Sequence, residues 1–357
     1  MWRWKCLAHK LAFIGFGVVG QGLAEILRDK KQSLKQNEGF EAEIVAISDL
    51  MKGSIYHPGG LDIDTVLQVV QETGSLENYP ETPGLIRGWD SIRTIRETNA
   101  DTVVEVSYTD VKTGQPAIDH CKAAFEKGKN VVMTNKGPVA LAYQELSQLA
   151  QKHHVQWGFE GTVMSGTPAL RMPAATLAGN DITEIRGILN GTTNYILTKM
   201  EQEGVSYEAA LKEAQELGYA EADPVSDVEG YDARYKIVII SNHVMNAPLS
   251  VGEVECQGIT GITLNDIEKA KAEGKSWKLI AKAKKENGKV IASIAPEKLD
   301  AADPLASIGG AVNAITYQCD LLGTVTLSGA GAGKIETGFS LLIDLISIHR
   351  QRQLVSI

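Results

Sequence analysis

Excess positive charge, closely spaced cysteines and long apolar runs are all missing from this chain. The 35 Lys and Arg stand against 44 Asp and Glu, a formal net charge of -9. That removes the electrostatic reason to expect a nucleic-acid partner. No stretch approaches the ~18 consecutive apolar residues of a membrane-spanning helix. The opening MWRWKCLAHK is basic, but glycines break the apolar stretch behind it, unlike the core of a secretory signal. Cys6, Cys121, Cys256 and Cys319 are scattered, with no CxxC or Cys/His metal spacing, as expected of reduced thiols in a cytoplasmic protein. There is no internal repeat and no low-complexity tract. What remains is an ordinary globular composition, 43% hydrophobic and 22% charged. At 357 residues, two domains are expected.

The front of the chain carries a phosphate-binding pattern. In LAFIGFGVVGQGLAEIL, Leu11 to Leu27, an apolar run leads into Gly15-Phe16-Gly17-Val18-Val19-Gly20. A helical pattern follows, with Val18, Val19, Leu23, Ile26 and Leu27 expected on its buried side. Strand, G-x-G-x-x-G and helix in this order predict a dinucleotide site. Gly15 permits the turn, Gly17 lets the backbone approach the pyrophosphate, and Gly20 lets the helix pack on the strand. The helix N-terminus then faces phosphate with free N–H groups. EIVAIS, Glu43 to Ser48, reads as a second strand ending at Asp49, whose carboxylate suits the adenosine ribose hydroxyls and disfavours a 2′-phosphate. Lys52 could accept such a phosphate, so NAD and NADP both stay open.

Residues 50–100 read as an insertion with one helix near Ile63–Gln71. DTVVEVS (101–107), NVVMTNK (130–136) and VQWGFE (155–160) then read as strands. TGQPAIDHCKAAFEKG (113–128) and PVALAYQELSQLAQKH (138–153) read as helices. This alternation predicts a Rossmann-type doubly wound parallel sheet, with ligands beyond the carboxyl ends of its strands. Ser107, Thr134, Asn135 and Lys136 sit at such ends, Lys136 where a nicotinamide belongs.

After Glu160 the pattern changes. GTVMSGTP (161–168) is a loop of small residues and DITEIRGIL (181–189) alternates like a half-buried strand. NGTTNYILTKMEQEG (190–204) turns into a helix. SYEAALKEAQELG (206–218) is a helix capped by Ser206 and stopped by Gly218. A hairpin is expected to turn at Asn287-Gly288, and 311–329 reads as two further strands. Together these predict an α+β second domain with a largely antiparallel sheet. The expected boundaries are 1–159, 160–330 and a C-terminal helix over 331–357.

AEADPVSDVEGYDARYK, Ala220 to Lys236, holds five carboxylates: Glu221, Asp223, Asp227, Glu229 and Asp232. Asp232 is expected to cap a mostly apolar helix over 233–245. Lys236, four residues on, would share its face. Glu221 and Asp227 can fold back over this turn, whereas Asp223 and Glu229 read as solvated. An exposed i,i+4 ion pair, worth only a few tenths of a kcal/mol, is the competing explanation.

These motifs together resemble the homoserine dehydrogenase family over nearly the whole chain. The resemblance rests on GFGVVGQG, VVMTNKGPVA, FEGTVMSGTP, GILNGTTNYILTKM, GYAEADPVSDVEGYDARYK and GAGAG at 329–333. NGTTNYIL and the GYAEADP…D-x-x-G-x-D-A-x-x-K stretch are specific to the family; the glycine fingerprint is not. Ile335-Glu336-Thr337 departs from a proline–threonine pair that many members carry. The resemblance implies interconversion of homoserine and aspartate semialdehyde with NAD or NADP, in a homodimer formed through the antiparallel sheet. It implies Lys136 and Lys236 as active-site lysines, and Glu221 and Asp232 as the carboxylates on the substrate's amino and hydroxyl ends. Asp227 is implied as a nearby acid and Thr192 as part of the substrate pocket. A monovalent cation, Na+ or K+, is implied at Glu160, Val163, Ser165 and Thr167. No ligand-sensing regulatory domain is expected, and the C-terminal helix should return to the nucleotide domain.

An ammonium near the reacting oxygen would stabilise alkoxide charge and relay the proton. Its ordinary pKa of about 10.4 must be lowered by desolvation or a second cation for base work. Lys236 is assigned to the oxygen, and Lys136 to proton transfer or to the substrate carboxylate. Two rivals stand: a related dehydrogenase of another small amino or hydroxy acid, and an inactive cofactor-sensing homologue.

Overall fold

The apolar runs of the first half become strands of one sheet in the computed structural model, which describes residues 8–355. Contacts divide the chain into two units: residues up to Thr162 with those from Gly333 onward, and Val163–Ala332. In the first unit, β1 (His9–Ile14) leads through the glycine loop into α1 (Val18–Asp29) and α2 (Lys31–Glu38). There follow β2 (Ala42–Asp49), β3 (Gly53–Tyr56), α3 (Ile63–Thr73), β4 (Ile86–Arg87), α4 (Ser91–Glu97) and β5 (Thr102–Glu105). Next come α5 (Ala117–Glu126), β6 (Asn130–Met133), α6 (Lys136–Leu141), α7 (Tyr143–Lys152) and β7 (Trp157–Gly158).

The sheet order is β4-β3-β2-β1-β5-β6-β7. Strands β2, β1, β5, β6 and β7 pair in parallel, while β3 and β4 add on antiparallel. Chain progression reverses between β1 and β5, so the dinucleotide crevice lies beyond their carboxyl ends. The C-terminal helix, Lys334–Val355, packs on α1. Its Leu341, Leu342, Leu345 and Ile346 share a buried core with Leu23 and Leu27. A Cβ on Gly338 would lie 2.8 Å from the Gly22 backbone, so this crossing needs a glycine.

Several expectations for this unit are corrected. Val18 is 65% exposed rather than buried, because it opens α1 at the mouth of the glycine loop. Residues 50–100 are part of the sheet, since β3 and β4 extend it; at four and two residues they are too short to show an alternation. The helix over 113–128 begins only at Ala117. That over 138–153 breaks at Ala142 into α6 and α7, and VQWGFE contributes two strand residues.

The second unit holds α8 (Arg171–Thr176), β8 (Ile182–Ile188), α9 (Gly191–Glu203), α10 (Tyr207–Glu216), α11 (Val225–Val228) and α12 (Tyr231–Val244). After β9 (Glu255–Cys256) and α13 (Leu264–Ala272) come β10 (Lys275–Glu286), β11 (Lys289–Asp300), β12 (Val312–Cys319) and β13 (Gly323–Ala330). The order β13-β12-β8-β10-β11-β9 is antiparallel except for β11 with β9. The β10–β11 hairpin turns at Asn287 and Gly288, at φ 49° and 78°, as a two-residue loop matched to strand twist. Asp232 does not cap α12. Gly230, at φ 79°, ends the preceding turn and starts the helix, which leaves Asp232 inside its first turn. Among the described residues, no helix is long and apolar enough to cross a membrane.

Candidate active site

The glycine loop is built to present backbone. Gly15 turns at φ 89°, and a Cβ there would stand 2.5 Å from the Val106 carbonyl oxygen. A Cβ on Gly20 would meet Gly15 O at 3.2 Å and Val106 at 3.3 Å, so this glycine sets how closely α1 sits on the sheet. A Cβ on Gly17 would meet nothing within 4 Å, so the loop has open space beside it. Gly17 is the N-cap of α1 and offers no side-chain cap, so the first N–H groups are available to phosphate. Asp49 braces the loop: its Oδ2 accepts from Phe16 N at 2.7 Å, and its Oδ1 from Met51 N and Lys52 N at 2.9 Å each. Lys52 Nζ lies 3.9 Å from the same carboxylate. Phe16 contributes backbone to the loop and its ring to the core; Val19 is half-buried on α1.

Ser107, Thr134, Asn135 and Lys136 follow the carboxyl ends of β5 and β6, and all four are half-buried. Lys136 opens α6, with Asn135 as its N-cap residue. Glu105, the last residue of β5, is fully buried and accepts from Ser107 Oγ and Asn135 Nδ2. His120 Nδ1 is 3.0 Å from Glu105, and His120 Nε2 is 2.8 Å from Ser91 Oγ. Sequence reasoning missed Glu105 and His120, although a carboxylate inside the apolar run DTVVEVS was a signal.

In the second unit, α12 carries Lys236 into a buried position, 7% exposed. Its Nζ donates to Leu189 O at 2.6 Å and pairs with Asp232 Oδ2 at 2.6 Å. Asn190 joins two acids: its Nδ2 donates to Asp227 Oδ1 at 2.7 Å and to Asp232 Oδ2 at 3.1 Å. Its Oδ1 accepts from Thr193 N at 2.9 Å and so caps α9. Thr192 donates to Tyr219 O at 2.6 Å. Burial, reinforced by the Asp232 charge, raises the Asp227 pKa; Asn190, Lys236 and Thr192 oppose the rise. The ion pair is therefore not the solvated surface pair that the spacing also allowed.

The structure thus brings together Thr192, Asp227, Asp232 and Lys236 and adds Asn190, legible beforehand only as a turn residue. Glu221 is exposed, and among the described residues no ion pair ties it to Lys236; its backbone carbonyl accepts from Gln215 at 3.1 Å. Asp223 is exposed, and Glu229 accepts from Thr260 Oγ1 at 2.9 Å. Glu160 is buried in the first unit, where its N–H donates to Asp344 at 3.1 Å. Val163, Ser165 and Thr167 belong to the second unit. Met164 and Ser165 there adopt left-handed backbone at φ 56° and 54°, and Thr167 donates to Ala330 O at 3.1 Å.

A glycine loop at the switch point of a doubly wound sheet, joined in one chain to a buried lysine–carboxylate cluster, defines the class: a dinucleotide-dependent oxidoreductase. Family models agree and are more specific. Residues 15–160 match the homoserine dehydrogenase NAD-binding domain, and residues 168–346 match the homoserine dehydrogenase domain. The chain belongs to the homoserine dehydrogenase family, oxidoreductases of amino-acid biosynthesis. It is 43% identical to the NAD(+)-dependent homoserine dehydrogenase of Pseudomonas canavaninivorans, over 96% of each chain. It is also 43% identical to the homoserine dehydrogenase of Methanocaldococcus jannaschii, over 95% of this chain and 98% of that one. A hyperthermophilic archaeal homoserine dehydrogenase mutant, solved in complex with NADPH, superposes with a TM-score of 0.82 at 31% identity, covering 97% of this chain and 98% of its own.

Proposed function

We propose that the cluster around Asn190 binds homoserine and that Lys236 acts on its reacting oxygen. The burial and grip of Lys236 support this reading most directly. Two of its three N–H donors are engaged by Leu189 O and Asp232, which leaves one to stabilise alkoxide charge or relay the proton. Two ionised carboxylates, Asp227 and Asp232, against one ammonium leave one net negative charge, which the substrate's own ammonium would neutralise. A nicotinamide held by the glycine loop would supply the acceptor for the hydride of the carbinol carbon, while Lys236 takes up the charge or the proton of the hydroxyl oxygen. Lys136, at the strand ends of the first unit, takes proton transfer or the substrate carboxylate as its role. Glu221 is assigned to the outer edge of the substrate site.

Asp49 favours NAD, because a carboxylate at the end of β2 opposes a 2′-phosphate, while Lys52 leaves NADP as a slower alternative. Val163, Ser165 and Thr167 offer carbonyl and hydroxyl oxygens and Glu160 a carboxylate, donors that suit Na+ or K+. A homodimer through the second unit's sheet, in a cytoplasmic setting that suits the free Cys121, Cys256 and Cys319, completes the proposal. Homoserine-dependent reduction of NAD and NADP, measured in parallel, tests it. Faster turnover with NAD is expected. No turnover with homoserine, alongside turnover of another hydroxy or amino acid, would sink it.

A further inference from the structure

Glu105 has no part in the mechanism above, yet it is a fully buried carboxylate of the first unit with several polar partners. It stands at the end of β5 with no exposed surface and meets three donors: Ser107 Oγ, Asn135 Nδ2 and His120 Nδ1. Glu105 accepts from Ser107 and Asn135, and that orients both partners. Asn135 must turn its amide nitrogen to Glu105 and its Oδ1 the other way. Ser107 must spend its hydroxyl proton on Glu105, which leaves oxygen lone pairs for other donors. His120 must carry a proton on Nδ1, and its Nε2 lies 2.8 Å from Ser91 Oγ. Ser91, His120 and Glu105 have the connectivity of a hydrolytic triad. However, the imidazole is only 2% exposed and the carboxylate is shared among three donors, an arrangement suited to fixing groups rather than to attack.

We propose that Glu105 is a positioning residue for the nicotinamide end of the cofactor, acting through Ser107 and Asn135. The inference rests on the reading that these two residues face the cofactor. Glu105 sets both as acceptors, matched to the N–H of a carboxamide or the O–H of a ribose. A carboxylate holds the Ser107 and Asn135 donors more firmly than a neutral acceptor would.

NADH and NADPH binding, followed by the fluorescence of the reduced nicotinamide, tests this without homoserine. Glu105→Gln keeps the volume but turns one acceptor into a donor, which lets Asn135 flip. The Kd for NADH should rise roughly tenfold, the size of one lost charge-assisted bond, with circular dichroism unchanged. In an Asn135→Ala background the same change should add little, because it acts through Asn135. Glu105→Asp, which keeps the charge but shortens the reach, should also weaken binding, and serves if the glutamine variant does not fold. A Kd within twofold of wild type in a folded variant, or full additivity with Asn135→Ala, would overturn the proposal. Unchanged binding in both Ser107→Ala and Asn135→Ala would remove the reading beneath it. Loss of the homoserine assignment alone would leave the titration unaffected.

Discussion

Between Gly15 and Gly20 the first unit offers backbone: free N–H groups, a tight turn and space beside Gly17. Between Asn190 and Lys236 the second unit offers side chains: two half-buried acids beside a buried amide and a buried ammonium. Backbone suits a ligand common to many enzymes, whose phosphates need donors and little else. Side chains suit a small substrate whose amino and hydroxyl groups must be told apart. The two regions also fail differently. The loop tolerates no added Cβ at Gly15, whereas the cluster depends on charge balance.

Substitutions can separate the two, and, short of removing Lys236, the largest effect is expected at the loop. Gly15→Ala forces a side chain into left-handed backbone and against Val106 O. A cost of about 2–4 kcal/mol in stability is expected, with NADH binding weakened beyond fiftyfold, roughly 2.3 kcal/mol. Thermal melts and NADH titration read both. Asn190→Ala comes next. It removes the α9 cap, about 1 kcal/mol, and strips a donor from two acids, about 1–3 kcal/mol. KM for homoserine should rise while the Kd for NADH stays unchanged; a cofactor Kd that moves with KM would break the division.

The smallest effect is one of pH. Burial beside Asp232 raises the Asp227 pKa, so the folded protein binds this proton more readily than the unfolded chain. Stability linked to Asp227 is therefore greatest below the unfolded carboxylate pKa and falls as pH climbs through the raised folded value. Substrate affinity should run the other way, because an ammonium prefers the ionised acid. Thus kcat/KM for homoserine should drop as pH falls through the raised pKa, and Asp227→Asn should move that acid limb. An unmoved limb would assign it to another group.

How much of each region could be read from the sequence follows from how it is built. The glycine loop occupies six consecutive residues after an apolar run, and the Asn287-Gly288 hairpin two, so their patterns are local. The cluster joins Leu189–Thr192, Tyr219, Asp227 and Asp232–Lys236 across more than forty residues. The i,i+4 spacing of Asp232 and Lys236 was legible, but the bridging role of Asn190 was not, because its partners lie 37 and 42 residues away. Asp232 was misread as a cap because Asp is a good N-cap, whereas Gly230 alone reaches the required φ without strain. The exposure of Glu221 depends on a loop path that no periodicity encodes.

Lys236→Ala separates the work of the two regions most directly when NADH affinity and homoserine-dependent turnover are measured on one preparation. Turnover is expected to fall by about 100- to 10,000-fold, the span of a lost acid–base group, with the Kd for NADH unchanged. Turnover close to wild type, or a lost turnover accompanied by an equal loss of NADH binding, would contradict this separation.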